Sequence, residues 1–98
     1  MAWNVSLTEF AKEKLKLVPA KRRLQTITKI QDRLSQKPLP DGKATRKLEG
    51  VKTPDGHSVY RLRSGDYRIL YLILSNQQVY VLDVVPRDEL EEAIERLA

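Results

Sequence analysis

The sequence predicts an α+β domain, a two-helix hairpin packed on a small antiparallel β-sheet in the order β-α-α-β-β-β-α. Three observations predict it. Apolar residues recur at helical spacing from Leu7 to Leu34 with a break at Pro19, the period switches to two from Ser58 onward, and a last helical stripe follows Pro86. Ninety-eight residues suffice for one modest core, so residues 1–98 are expected to form a single domain.

The elements follow in order. Trp3, Val5 and Leu7 alternate with Asn4 and Ser6, which is the pattern of a strand with one buried face. Thr8 is placed to cap a helix whose inner face holds Phe10, Ala11, Lys14, Leu15 and Val18. This helix stops near Val18, because the residue before a proline is pushed out of the α region. Pro19 suits the first turn of a second helix with the stripe Leu24, Ile27, Ile30, Gln31 and Leu34. Lys37-Pro38-Leu39-Pro40-Asp41-Gly42 ends it and opens a loop expected to run to about Gly56, carrying Lys43, Arg46, Lys47 and Lys52. Residues 59–63, 67–74 and 79–85 then form an antiparallel meander joined by Ser64-Gly65-Asp66 and Ser75-Asn76-Gln77. The middle segment is apolar on both faces except at Arg68, as expected of a central strand. A final helix is expected, with Asp88 and Glu91 as a capping box and Leu90, Ala93, Ile94 and Leu97 on one face.

Composition narrows the function classes. Hydrophobic residues at 41% exclude a disordered chain, and no apolar run approaches the ~20 residues of a bilayer span, so no membrane association is expected. The first ten residues lack a secretory pattern and there is no cysteine, which fits a cytoplasmic location. The net charge of +5 is unevenly spread: residues 88–98 hold five acids and one base, leaving +9 on residues 1–87. Such a body attracts polyanions. The acidic tail either masks part of the cationic surface or simply completes the core.

Candidate chemistry lies on the meander. Alternation puts Arg61 and Arg63 on one face of their strand, Arg68 lies across a short turn from them, and Arg87 stands where the chain leaves the last strand. Converging guanidiniums would grip phosphate in a bidentate manner; otherwise Arg61 and Arg63 are solvated and Arg68 pairs with Asp66 or Asp83. His57, the only histidine, sits beside Asp55-Gly56 and is read as an exposed turn residue. The tyrosines Tyr60, Tyr67, Tyr71 and Tyr80 are read as core residues, with at most one free to stack on a base. Lys21-Arg22-Arg23 either tracks a nucleic-acid backbone or is a solvated helix face. There is no metal-ligand spacing, no G-x-S-x-G elbow and no glycine-rich phosphate loop, so neither metal nor small-molecule cofactor is expected.

Leu48-Glu49-Gly50 followed by Tyr60-Arg61-Leu62-Arg63-Ser64-Gly65-Asp66-Tyr67-Arg68-Ile69-Leu70-Tyr71 resembles the signature of the RelE/ParE superfamily of type II toxin–antitoxin toxins. The exit Val85-Pro86-Arg87 resembles that of some archaeal RelE-like members. The resemblance implies a RelE-like fold, ribosome-dependent cleavage of messenger RNA without a cofactor, and a cognate antitoxin, the ribosome and mRNA as partners. It also implies catalytic roles for Arg61, Arg68 and Arg87, with Arg63, Lys43, Arg46, Lys47 and Lys52 holding RNA. The chain departs from the pattern in two places. Many RelE-like nucleases have a tyrosine or histidine in the C-terminal segment, where this chain reads Glu91-Glu92-Ala93-Ile94, and a second basic position on the first meander strand is Val59. Two other readings stay open: a ParE-like poison of DNA gyrase and a catalytically silent antitoxin-binding module.

Overall fold

A computed structural model describes residues 2–97. The expected α+β class holds, with one strand more than expected and one parallel pairing. Strand β1 (Asn4–Leu7) leads into helices α1 (Glu9–Lys16) and α2 (Ala20–Gln36), then strands β2 (Thr45–Lys52), β3 (Ser58–Ser64), β4 (Tyr67–Leu74) and β5 (Gln78–Pro86). A 3₁₀ turn (Arg87–Glu89) precedes helix α3 (Leu90–Leu97). The five strands form one sheet in the order β1-β5-β4-β3-β2, antiparallel except where β1 runs parallel to β5.

The helical hairpin forms as its sequence dictates. Thr8 caps α1, its hydroxyl accepting the Ala11 N–H at 2.9 Å. Pro19 turns the chain into α2, and the Arg23 guanidinium secures the corner by donating to the carbonyls of Val18 and Lys16. Thr26, Ile30 and Leu34 are the buried positions of α2, whereas Leu24 is 71% exposed and Gln31 faces solvent. The inner stripe is thus rotated from the expected one, with Thr26 buried and Leu24 turned to solvent.

The stretch expected to be a loop contains β2. Its charged side chains are solvated, so it lacks the apolar alternation of a covered strand, as suits a sheet edge. The turn before it is organised by Asp41, whose carboxylate accepts the N–H groups of Lys43 and Thr45 and pairs with Arg33. These bonds hold the Asp41 carboxyl well below its ordinary value.

Two cores sit on opposite faces. On one, α1 and α2 cover Leu62, Ile69, Tyr71, Val79, Val81 and Val84. The buried Tyr71 hydroxyl donates to the Pro38 carbonyl at 2.6 Å, and its ring stacks on Tyr60 with centroids 5.6 Å apart. On the other face, Ala93, Leu90 and Leu97 of α3 pack on Val59, Leu70, Leu72 and Val85. The acidic tail therefore completes a core. The expected capping box is replaced by the 3₁₀ turn, and neither Asp88 nor Glu91 makes a capping bond among the described residues. Among the described residues no helix is long and apolar enough to cross a membrane.

Candidate functional site

The positions of the arginines follow from strand register. Ser64 pairs with Tyr67 across the two-residue turn Gly65-Asp66, where Gly65 takes φ +57, a left-handed value suited to glycine. This turn sets Arg63 directly opposite Arg68 and Arg61 opposite Leu70. On the other side of β3, Arg46 is opposite Arg61. All four arginines stand on the face that α3 shares, because they alternate with Leu62 and Ile69 of the opposite core. They make two adjacent rungs, Arg46–Arg61 and Arg63–Arg68.

Two of these side chains are buried without a counter-ion. Arg61 is 8% exposed and Arg68 7%, and among the described residues neither touches a carboxylate. Arg61 donates to the Lys43 carbonyl at 3.1 Å, while its Nε is buried with no acceptor. Arg68 donates to the carbonyls of Gly65 and Tyr67, both at 2.9 Å. Burial, followed by the like charges of Arg46, Arg68 and Arg63, pulls the Arg61 pKa down. Burial, then Arg63 and Arg87, does the same at Arg68, against a smaller opposing pull from the Asp66 carboxylate. Fixed guanidiniums that repel one another and lack an anion are a ready receptor for one.

The remaining candidates fall into two groups. Arg87, exposed at the start of the 3₁₀ turn, is close enough to Arg68 to influence it; its N–H donates to the Asp66 carbonyl at 2.7 Å, and it lines a cavity of about 260 Å³ with Asp66, Pro86 and Asp88. Lys43 is in the turn beside Arg61, offering its carbonyl rather than its exposed side chain to the row. Lys47 and Lys52 are not brought to the row: they share rungs with Tyr60 and Ser58, on the opposite face of the sheet. His57 is exposed in the β2–β3 turn, its N–H donating to the Thr53 hydroxyl. Tyr71 is buried, its phenol pushed well above the ordinary value by desolvation, whereas Tyr80 is partly exposed.

The alternative pairing of Arg68 with Asp83 is excluded by what Asp83 already does. Lys14 of α1 and Arg96 of α3 donate to its two oxygens at 3.0 and 3.1 Å, and the Val84 N–H adds a third bond. Asp83 reaches both helices because β1 stops opposite Val81 and the register with β4 slips between Leu70 and Tyr71, a bulge in β5. Sequence reasoning missed this triad, as residues 14, 83 and 96 carry no shared signal. It also missed the pairing of Arg46 with Arg61, which the alternation Arg46, Leu48 could have suggested. A larger open groove of about 830 Å³ lies along the outer face of α2, lined by Lys21, Leu24 and Lys29 among others, and the arginine row has no part in it. Among the described residues no group of His, Cys, Asp and Glu could hold a metal ion.

A family model, "ParE toxin of type II toxin-antitoxin system, parDE", matches residues 5–91. No curated protein matches. Among solved structures, the RelE–RelB complex from the archaeon Pyrococcus horikoshii OT3 is similar at 27% identity, covering 89% of this chain and 97% of that one with a TM-score of 0.69. The RelBE2 toxin–antitoxin complex of Mycobacterium tuberculosis is similar at 24% identity, 89% and 100% coverage and a TM-score of 0.69. An E. coli RelE double mutant in the free state matches at 24% identity, full coverage of both chains and a TM-score of 0.64. The last two support the shared fold alone.

Proposed function

The chain belongs to the ParE toxin family of type II toxin–antitoxin systems, and from that premise we propose that it arrests translation by cutting ribosome-bound messenger RNA, with the arginine row as its working surface. The observation that carries this reading is the buried, carboxylate-free pair Arg61 and Arg68 with Arg87 beside it. In the reaction, a ribose 2′-oxygen bonds to the adjacent phosphorus and the bond to the 5′-oxygen breaks, giving a 2′,3′-cyclic phosphate and a 5′-hydroxyl. The 2′-hydroxyl loses its proton to water, and water returns one to the leaving oxygen. Negative charge builds on the phosphoryl oxygens, and guanidiniums already fixed against it lower the barrier without reorganising.

Arginine stays protonated and does not serve as base. Position 93, in the segment where many relatives carry a tyrosine or histidine, is the buried Ala93. A placed acid or base, worth ~10²- to 10⁴-fold, would therefore have to come from another residue such as a tail glutamate, and the rate rests first on charge and on the geometry that the ribosome imposes. The proposed partners are the ribosome, mRNA and a cognate antitoxin. The antitoxin is supported by the RelB-bound relatives and by a body charge that suits an acidic wrapping segment. The test is induction in a host with primer extension on ribosome-bound message: cuts confined to the A site support the reading, and intact message with continued translation defeats it.

A second reading, poisoning of DNA gyrase, is favoured by the match to a ParE family model and by the absence of tyrosine and histidine from α3. Filamentation with DNA damage on induction, and uncut message, would select it. Normal growth on induction without antitoxin would instead select a silent antitoxin-binding module.

A further inference from the structure

Two rungs of arginine on one face pose a question that a single phosphate does not answer. Neighbouring strands lie about 4.8 Å apart and a strand rises about 3.3 Å per residue, so the midpoints of the rungs are separated by about 8 Å. Four long side chains readily close that distance to the interval between successive phosphates of an extended nucleic-acid strand. The rungs also differ in the same way from end to end, since each pairs one buried guanidinium with one exposed one: Arg61 with Arg46, and Arg68 with Arg63. In each, the buried member is fixed by backbone carbonyls; of the exposed members, Arg46 is held, among the described residues, only by a long 3.4 Å bond to the Gly42 carbonyl, which a bound anion would displace as the side chain folds over it.

We infer that the row is a clamp for two successive phosphates, one held between Arg46 and Arg61 and the next between Arg63 and Arg68 with Arg87 at its open side, so that its smallest complete ligand is a nucleoside 3′,5′-bisphosphate. This inference rests on the RNA reading above and refines it. Arg46 and Arg63 become positioning residues that set the step of the strand, and the reacting phosphate is the one beside Arg68 and Arg87. The clamp reads backbone spacing and charge alone, so any strand that lays two consecutive phosphates along this face can enter it. The site is part of the fold, so the clamp operates on the isolated toxin without the ribosome.

Calorimetric titration of the full chain tests this with three probes: adenosine 3′,5′-bisphosphate, adenosine 5′-diphosphate and adenosine 5′-monophosphate. The 5′-diphosphate carries about one negative charge less, with its phosphates joined in one anhydride, so the Arg46 variants rather than the ranking alone separate spacing from charge. The clamp predicts that the 3′,5′-bisphosphate binds at least ~10-fold more tightly than either, and that Arg46→Ala removes this advantage while Arg46→Lys, which keeps the charge but not the fork, restores only part of it. Equal affinity for the bisphosphate and the 5′-diphosphate overturns the clamp. If that equality accompanies normal cutting of ribosome-bound message, only the clamp is lost; if cutting is absent too, the RNA reading falls with it. Arg46 is solvent-exposed, and an unchanged thermal melt of its variants confirms that binding, not folding, is being read.

Discussion

Asp83 on β5 and the pair Arg61 and Arg68 on β3 and β4 are buried to similar degrees on one sheet, yet their charges meet opposite treatment. One rung even connects them, running Arg46, Arg61, Leu70, Asp83 across four strands. At the β5 end, two cations from two helices and a backbone N–H satisfy the carboxylate completely. At the β3 end the guanidiniums have, among the described residues, only backbone carbonyls, and Arg61 Nε has no partner there. Leu70 separates the two, and Asp83 is too fully engaged to neutralise its neighbours. Buried charge that is compensated holds elements together; buried charge left uncompensated weakens the fold and is retained for what it can bind.

The largest effect is expected at Arg68. Arg68→Ala is expected to lower cutting of ribosome-bound message by about 100- to 1,000-fold, with no comparable loss of melting temperature. A matching collapse of stability would show that the uncompensated end is structural after all. At the compensated end, Asp83→Ala is expected to destabilise by about 2–3 kcal/mol in denaturant unfolding. That lies below the ~3–5 kcal/mol of a fully buried pair, since Arg96 is 46% exposed and regains water. Arg61→Met should do the reverse, raising stability by about 1 kcal/mol while weakening nucleotide binding, because an apolar side chain replaces a charge with no counter-ion. The smallest effect belongs to Asp41, a compensated carboxylate outside the core. Its folded pKa is depressed from 3.8, so its contribution is full above that value and is lost as the pH falls below it. Wild-type melting temperature should therefore drop more between about pH 5 and pH 2 than that of Asp41→Asn.

Much of the uncovered side of this contrast was legible in the sequence. Alternation alone places Arg61 and Arg63 on one face, and a short glycine-containing turn brings Arg68 beside them. Thr8 as a cap and the apolar run of β4 were equally readable, because each depends on residues close in sequence. What escaped depends on partners far along the chain. An edge strand such as β2 has no covered face to impress a pattern on Thr45–Lys52, and Gly50 at φ +74 interrupts what alternation remains. The choice of Thr26 over Leu24 was set by how α2 is rolled on the sheet, and the Lys14–Asp83–Arg96 triad by a bulge that no local signal announces.

The two-residue turn Gly65-Asp66 has a consequence for how this surface can evolve. Adding or deleting a single residue there would invert β4, sending Arg68 among the helices and turning Ile69 and Tyr71 outward. The same parity that assembles the cations also seats the hydrophobic side chains, so any slippage that scattered the guanidiniums would unfold the molecule as well. Drift in loop length is thus purged by misfolding before it can erode the chemistry, and the arrangement is inherited whole or not at all.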